Sequence, residues 1–381
     1  MRRFDWTSLS EEARRDALAR PAQRAAASVV DRVAAIIADI ERDGVDAVAR
    51  WAERLDGVPP EPVDLTPATV ATARNALDAE DIEAIERAVD NVRRYHEAAR
   101  PRAVEVEPFG GVRCRQIWRP IRAAGLYVPG GAAPLVSTLI MLAEPARAAG
   151  VPDRIVVTPP QKGARLAPAM IAAAALCGVE RIWTLGGAQA IAALAFGAGL
   201  PRADKIFGPG NAYVAEAKRQ VAARGLAAID LPAGPSELLV VADATADAGV
   251  VAADLLSQAE HDADAQVILA ALDAPTADRI LAEIERQIDT LPRAVVAGAS
   301  LREMRVFIAP TKEAALEIAN AYAPEHLSLN VADAGAWIDA VDHAGAVFVG
   351  GASAETFGDY LAAPSHVRPT DGAARAFGGV T

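Results

Sequence analysis

From Arg122 onward, short β-branched runs alternate with Ala-rich stretches, and this alternation constrains the fold more than any single motif. The runs at 124–128, 154–158, 181–185, 238–241, 265–270, 304–308, 327–331 and 346–349 read as strands, with helical patterns between most of them. Strands separated by helices make βα units and a largely parallel sheet. The earlier residues, up to about Arg100, read as helices. Val29, Val33, Ile36, Ile37 and Ile40 recur at three and four, and Ile82, Ile85, Val89 and Val92 do the same. Residues 104–117 alternate around Gly110-Gly111 and predict a hairpin. Pro232, Gly234 and Pro235 cluster where a soft boundary is expected, at 230–234, and a second boundary is expected near Arg375.

A length of 381 residues allows two or more domains with substantial cores. The net charge of −12 argues against a nucleic-acid partner, because phosphate binding calls for clustered Lys and Arg. Two cysteines, Cys114 and Cys177, exclude a disulfide framework and a cysteine-rich zinc site. Cys177 lies in an Ala-rich apolar run and reads as core. No apolar segment follows Arg2 and Arg3, so no secretory signal is expected. The longest apolar run, 167–179, is too short for a membrane span of about 20 residues. The cytoplasm is the expected location.

Of the five histidines, two sit in chemically suggestive settings. Gln258 and His261 are three apart at the end of an amphipathic pattern, so a carboxamide oxygen and an imidazole project from one helix face and can grip a divalent ion. Glu325 and His326 place an acid and a base side by side after Pro324, in an expected loop. Asp359, in Gly358-Asp359-Tyr360, carries a carboxylate able to join the same ion. Gly208-Pro209-Gly210-Asn211 has only the first two glycines of a dinucleotide fingerprint. Read alone, it is a tight turn with Asn211 as the N-cap of a helix running to about Arg224. Read functionally, it lets backbone approach phosphate at a helix N-terminus.

These segments carry a resemblance. Together with Gly125-Leu126-Tyr127-Val128-Pro129-Gly130-Gly131, Gly186-Gly187-Ala188-Gln189-Ala190 and Gly234-Pro235-Ser236-Glu237, the chain resembles the histidinol dehydrogenase family over nearly its whole length. The resemblance implies an α/β fold of two incomplete Rossmann-like domains with parallel-rich sheets. Residues 1–103 would be a helical segment packed across the core, 104–233 the first domain on the NAD side, and 234–375 the second on the metal and substrate side. Residues 376–381 would begin a C-terminal tail. In the family that tail runs several dozen residues further and supplies a Glu and a His to the partner subunit's active site, whereas this sequence stops at Thr381.

The implied reaction is a four-electron oxidation of L-histidinol, through histidinal, to L-histidine, with NAD and zinc as cofactors and a homodimer as the assembly. Tyr127, Gln189 and Asn211 would contact NAD. Gln258, His261 and Asp359 would hold zinc; the family's fourth ligand is the tail histidine, and His366 is the candidate substitute in this sequence. Ser236, Gln258, His261, His326 and Asp359 would contact substrate. Catalysis is assigned to His326, a neutral imidazole suited to taking the alcohol proton near neutral pH, and to Glu325, a carboxylate that activates water for the second oxidation. Three alternatives stand beside this reading: a tail-less relative without turnover, one that oxidises another small alcohol, and a zinc hydrolase. A His-Glu-x-x-His helix, the usual mark of the last, is absent from the sequence.

Overall fold

The computed structural model describes the chain except for residues 21–26, 131–133, 162–165, 232–233, 361, 363, 366–367 and 379–381, and except for the Asp359 side chain. His366 therefore lies outside the described residues. The strands, in chain order, begin with β1 (Arg2–Asp5), β2 (Glu61–Asp64) and the hairpin β3 (Val104–Phe109) and β4 (Val112–Gln116). Then come β5 (Ala123–Tyr127), β6 (Asp153–Thr158), β7 (Arg181–Thr184), β8 (Lys205–Phe207) and β9 (Ala228–Ile229). The last group is β10 (Glu237–Ala242), β11 (Gln266–Ala271), β12 (Arg305–Ile308), β13 (His326–Asn330) and β14 (Ala346–Val349).

The chain forms two compact units. One comprises Met1–Arg24, Leu231–Asp359 and Arg368–Thr381, and the other Ala25–Asp230 with Tyr360–Val367. The expected helical segment 1–103 is thus divided between them.

In the first unit the sheet order is β1-β12-β11-β10-β13-β14, and every pair is parallel. Apart from the edge strand β1, the other five follow the doubly wound order 3-2-1-4-5, a Rossmann sheet without its sixth strand. Every residue of β10 and β11 is buried. This is why they read as continuous apolar runs: helices cover both faces of a parallel sheet. Alternate residues feed two cores, with Leu239, Val241, Ile268 and Leu327 on one face and Leu238, Val240, Val267 and Leu269 on the other. Burial of each such side chain contributes roughly 1.5–3 kcal/mol.

The second unit repeats the scheme with the order β2-β7-β6-β5-β8-β9, in which β2 alone is antiparallel. Helices Ala27–Asp43, Val45–Leu55, Gly187–Phe196 and Ala212–Ala223 surround a core that includes Ile36, Ile37, Tyr127, Ile155, Val157 and Ile191. The β3–β4 hairpin stands as its own two-stranded sheet, turned by Gly111 at φ +82°.

Four strands differ from expectation. β1 and β2 lie in the region read as purely helical, and β8 and β9 were not anticipated. All are two to four residues long, below the length at which alternation is visible. β1 gains its place from the ladder to β12 and from Phe4 stacked on Phe307 at 5.3 Å. Pro62 fits β2 because that strand is an edge. Among the described residues no helix is long and apolar enough to cross a membrane.

Candidate active site

The first unit assembles its polar cluster at the edge where the parallel strands begin. The helix Ala248–His261 leaves the C-terminal end of β10 and returns to the start of β11, so its last turn arrives at that edge. β13 begins there with His326, whose register partner is Leu238. Gln258 and His326 consequently meet: Gln258 Oε1 lies 3.4 Å from His326 Nδ1. Glu355 Oε1 is also 3.4 Å from the same nitrogen, and the Phe348 ring stands edge-on to the imidazole at 5.8 Å. Gln258, His326, Glu325 and Glu355 are all buried. Glu325 Oε2 accepts the backbone N–H of Glu237 at 2.9 Å. Ser236, half-buried, sits immediately before β10 and accepts the N–H of Gln266 through its carbonyl.

Two oxygens facing Nδ1 suit the tautomer in which Nδ1 carries the hydrogen and Nε2 is the basic nitrogen. Asp254 lies one turn before Gln258 on the same helix face and accepts the backbone N–H of Glu355. Its burial pushes the Asp254 carboxyl up to about 6, against that hydrogen bond.

His261 is the last residue of its helix and is exposed; its carbonyl accepts from Arg293 at 3.3 Å. Asp359 lies on the short helix Phe357–Tyr360. Among the described residues, no three His, Cys, Asp or Glu side chains gather as a metal cluster. The expected set is of another kind, one carboxamide, one imidazole and one carboxylate, and its nitrogen and oxygen donors suit zinc.

The second unit places its candidates at the C-terminal ends of strands. Tyr127 closes β5, and Gly208 to Asn211 follow β8, the neighbouring strand across the point where the sheet order reverses. Ligands of doubly wound sheets bind at that point. The two loops abut so closely that a Cβ on Gly208, at φ +121°, would lie 2.0 Å from the Tyr127 carbonyl oxygen. Gly208 is fixed further, its N–H donating to Asp230 and its carbonyl accepting from Lys218 Nζ. Asn211 is exposed, and its side-chain oxygen accepts from the N–H groups of Tyr213 and Val214. The N-cap reading is therefore observed, at the mouth of the helix a phosphate would face.

Gln189 is buried on the helix that follows β7. Its Nε2 donates to Asp56 Oδ2 at 3.1 Å, and that oxygen also accepts the Gly186 N–H at 3.0 Å. Gln189 Oε1 is buried without a hydrogen-bond partner. Burial raises the Asp56 carboxyl, and it pushes the Tyr127 phenol up to about 12 while its oxygen accepts the Gly187 N–H. An orphaned acceptor, a glycine at the loop contact and an exposed helix start suit a dinucleotide.

One placement differs from the sequence reading. His326 is not in a loop but is the first residue of β13, because the run that follows it is long enough to be pulled into the ladder. Glu355, Asp254 and Asp56 escaped notice. Asp254 and Glu355 had a signal, each standing four residues before a singled-out residue. Asp56 had none, being 133 residues from the Gln189 it holds.

Two doubly wound sheets bearing a buried acid–base cluster place the chain among α/β enzymes. The family model described as histidinol dehydrogenase matches residues 18–381. The histidinol dehydrogenase of Xanthomonas oryzae pv. oryzae is 47% identical over 382 residues, covering 100% of this chain and 89% of the relative. That of Salmonella typhimurium is 45% identical over 371 residues, covering 97% and 85%. The crystal structure of histidinol dehydrogenase from Elizabethkingia anophelis superposes with a TM-score of 0.94 at 37% identity, covering 100% of this chain and 87% of that one. The chain belongs to the histidinol dehydrogenase family.

Proposed function

We propose that this chain oxidises L-histidinol to L-histidine through histidinal, with NAD as hydride acceptor and zinc as an anchor for the substrate. The observation that carries the reading is the His326 imidazole, buried with Nδ1 turned to Gln258 and Glu355 and with Glu325 next to it in the chain. In the first oxidation His326 Nε2 takes the hydroxyl proton as hydride leaves the carbon. The Glu355 carboxylate stabilises the resulting imidazolium, as a buried acid does for a catalytic histidine in general. Glu325 then takes a proton from the water that adds to the aldehyde, giving the hydrate as its alkoxide. Loss of a second hydride and a proton yields the carboxylate.

NAD, contacted by Tyr127, Gln189 and Asn211, supplies the hydride acceptor. Zinc, held by Gln258, His261 and Asp359, supplies a Lewis acid for the imidazole and amine nitrogens of the substrate, which Ser236 contacts as a hydroxyl donor. A homodimer in the cytoplasm completes the reading, and both rest on the family relationship. Relatives matched over nearly their full length are dehydrogenases, which disfavours the hydrolase and non-catalytic alternatives.

The test is to incubate the purified chain with histidinol and NAD, follow nicotinamide reduction, quantify histidine and measure bound zinc. Two reduced nicotinamides per histidine, from zinc-loaded protein, is the expected result. Absence of nicotinamide reduction by zinc-loaded protein refutes the reading.

A further inference from the structure

Arg20 follows the helix Glu11–Leu18 and makes a part-buried fork-to-fork pair with Glu237, the first residue of β10. Nε donates to Glu237 Oε1 at 2.5 Å and Nη2 to Oε2 at 2.8 Å. The same Nη2 reaches the carbonyls of Tyr322 at 2.9 Å and Ala323 at 3.3 Å, and the guanidinium lies 3.9 Å over the Tyr322 ring. Glu237 is 1% exposed and accepts a further N–H from Asp371 at 3.1 Å.

These contacts converge on one hydrogen bond. The backbone N–H of Glu237 donates to Glu325 Oε2. Tyr322 and Ala323 lead directly into Glu325, through Ala323 in a left-handed conformation (φ +54°) and then Pro324. One guanidinium therefore fastens the donor's strand and the turn that carries the acceptor. We propose that Arg20 is a positioning residue for Glu325, holding both partners of the Glu237 N–H to Glu325 contact so that the carboxylate is aimed at the water of the second oxidation. The inference rests on the water-activating role read for Glu325. Arg20 touches neither substrate nor cofactor in this scheme. It acts through geometry, which governs how well a positioned base works.

The experiment uses the full chain, zinc-loaded, with R20M, R20K and E325Q. Each is assayed separately for histidinol oxidation and for histidinal oxidation, with thermal melting alongside. R20M is expected to lower kcat on histidinal by about 10- to 100-fold, with the KM values for histidinal and NAD and the histidinol half changed by less than about threefold. R20K restores charge but not the planar fork, so it should recover part of the lost kcat. R20M also leaves a buried carboxylate unpaired. Should it fail to fold, R20K alone decides, with a selective loss of about tenfold on histidinal expected. Equal damage to both halves, a rise in KM in place of a fall in kcat, or unchanged turnover on histidinal overturns the proposal. E325Q separates the two claims. If it is selective and the Arg20 variants are not, the Arg20 proposal fails alone; if it is not selective, the reading of Glu325 fails and the proposal with it.

Discussion

Glu355 Oε1 stands 3.4 Å from His326 Nδ1, with both side chains buried at the edge where the first unit's strands begin. In the proposed mechanism a carboxylate there does two things: it fixes the imidazole with Nε2 as the base, and it stabilises the imidazolium formed when that base is used. The variant E355Q separates them, since a carboxamide oxygen still accepts from Nδ1 but carries no charge. It should lower kcat for histidinol by about 10- to 100-fold while leaving the KM for NAD near wild type. Steady-state kinetics at saturating NAD provide the check, and an unchanged kcat would remove Glu355 from the mechanism.

The division of labour between neighbours is separable. E325Q removes the base proposed to activate water but leaves His326 in place, so it should still reduce nicotinamide with histidinol while failing on histidinal, by about 10²- to 10⁴-fold. Assaying the alcohol and the aldehyde as separate substrates reads this directly. Equal loss on both would show that one base serves both oxidations.

Much of this was legible in the sequence, for reasons tied to particular segments. β10, β11 and β13 were found because their runs are buried throughout, and the half-buried β14 falls on the expected residues 346–349. The helix ending at His261 was legible from its period, and so was the Asn211 cap. β1 and β2 were not, because four residues such as Arg2–Asp5 acquire strand character only from a distant ladder partner. Gln258 and His326 were expected to meet only at the substrate; the contact itself depends on a helix and a strand meeting at one sheet edge. Arg20 and Asp56 were silent because their importance lies in hydrogen bonds to residues fixed elsewhere in the chain, and Glu355 had only its place four residues before Asp359 as a signal.

Asp254 sets a stability dependence on pH. Its carboxyl, lifted to about 6 by burial, binds a proton more tightly in the folded chain than in the unfolded one, where an Asp titrates near about 3.9. The contribution is present below the unfolded value and is lost as pH rises through about 6. D254N keeps a neutral group at all pH values and removes that loss. Urea midpoints of chelated protein should therefore favour D254N over wild type more at pH 8 than at pH 5. A difference independent of pH would show that the buried carboxyl does not titrate in this window.

The contact between Gly208 and Tyr127 gives the last prediction. A methyl at position 208 would sit 2.0 Å from the Tyr127 carbonyl oxygen, and φ +121° is a backbone region that side chains avoid. Neither term has an escape. The clash is with backbone, which cannot rotate away, and Gly208 is pinned by Asp230 and Lys218 on its two peptide groups. Gly208→Ala should therefore cost roughly 2–4 kcal/mol of stability. It should also weaken NAD binding more than it affects zinc content, because the displaced loops are those of the second unit's switch point, while the donors proposed for zinc belong to the first unit. Thermal melting, fluorescence titration with reduced nicotinamide and metal analysis of the same preparation test the three parts together. A variant that melts like wild type and binds nucleotide normally would mean that the two loops do not form the cofactor's seat.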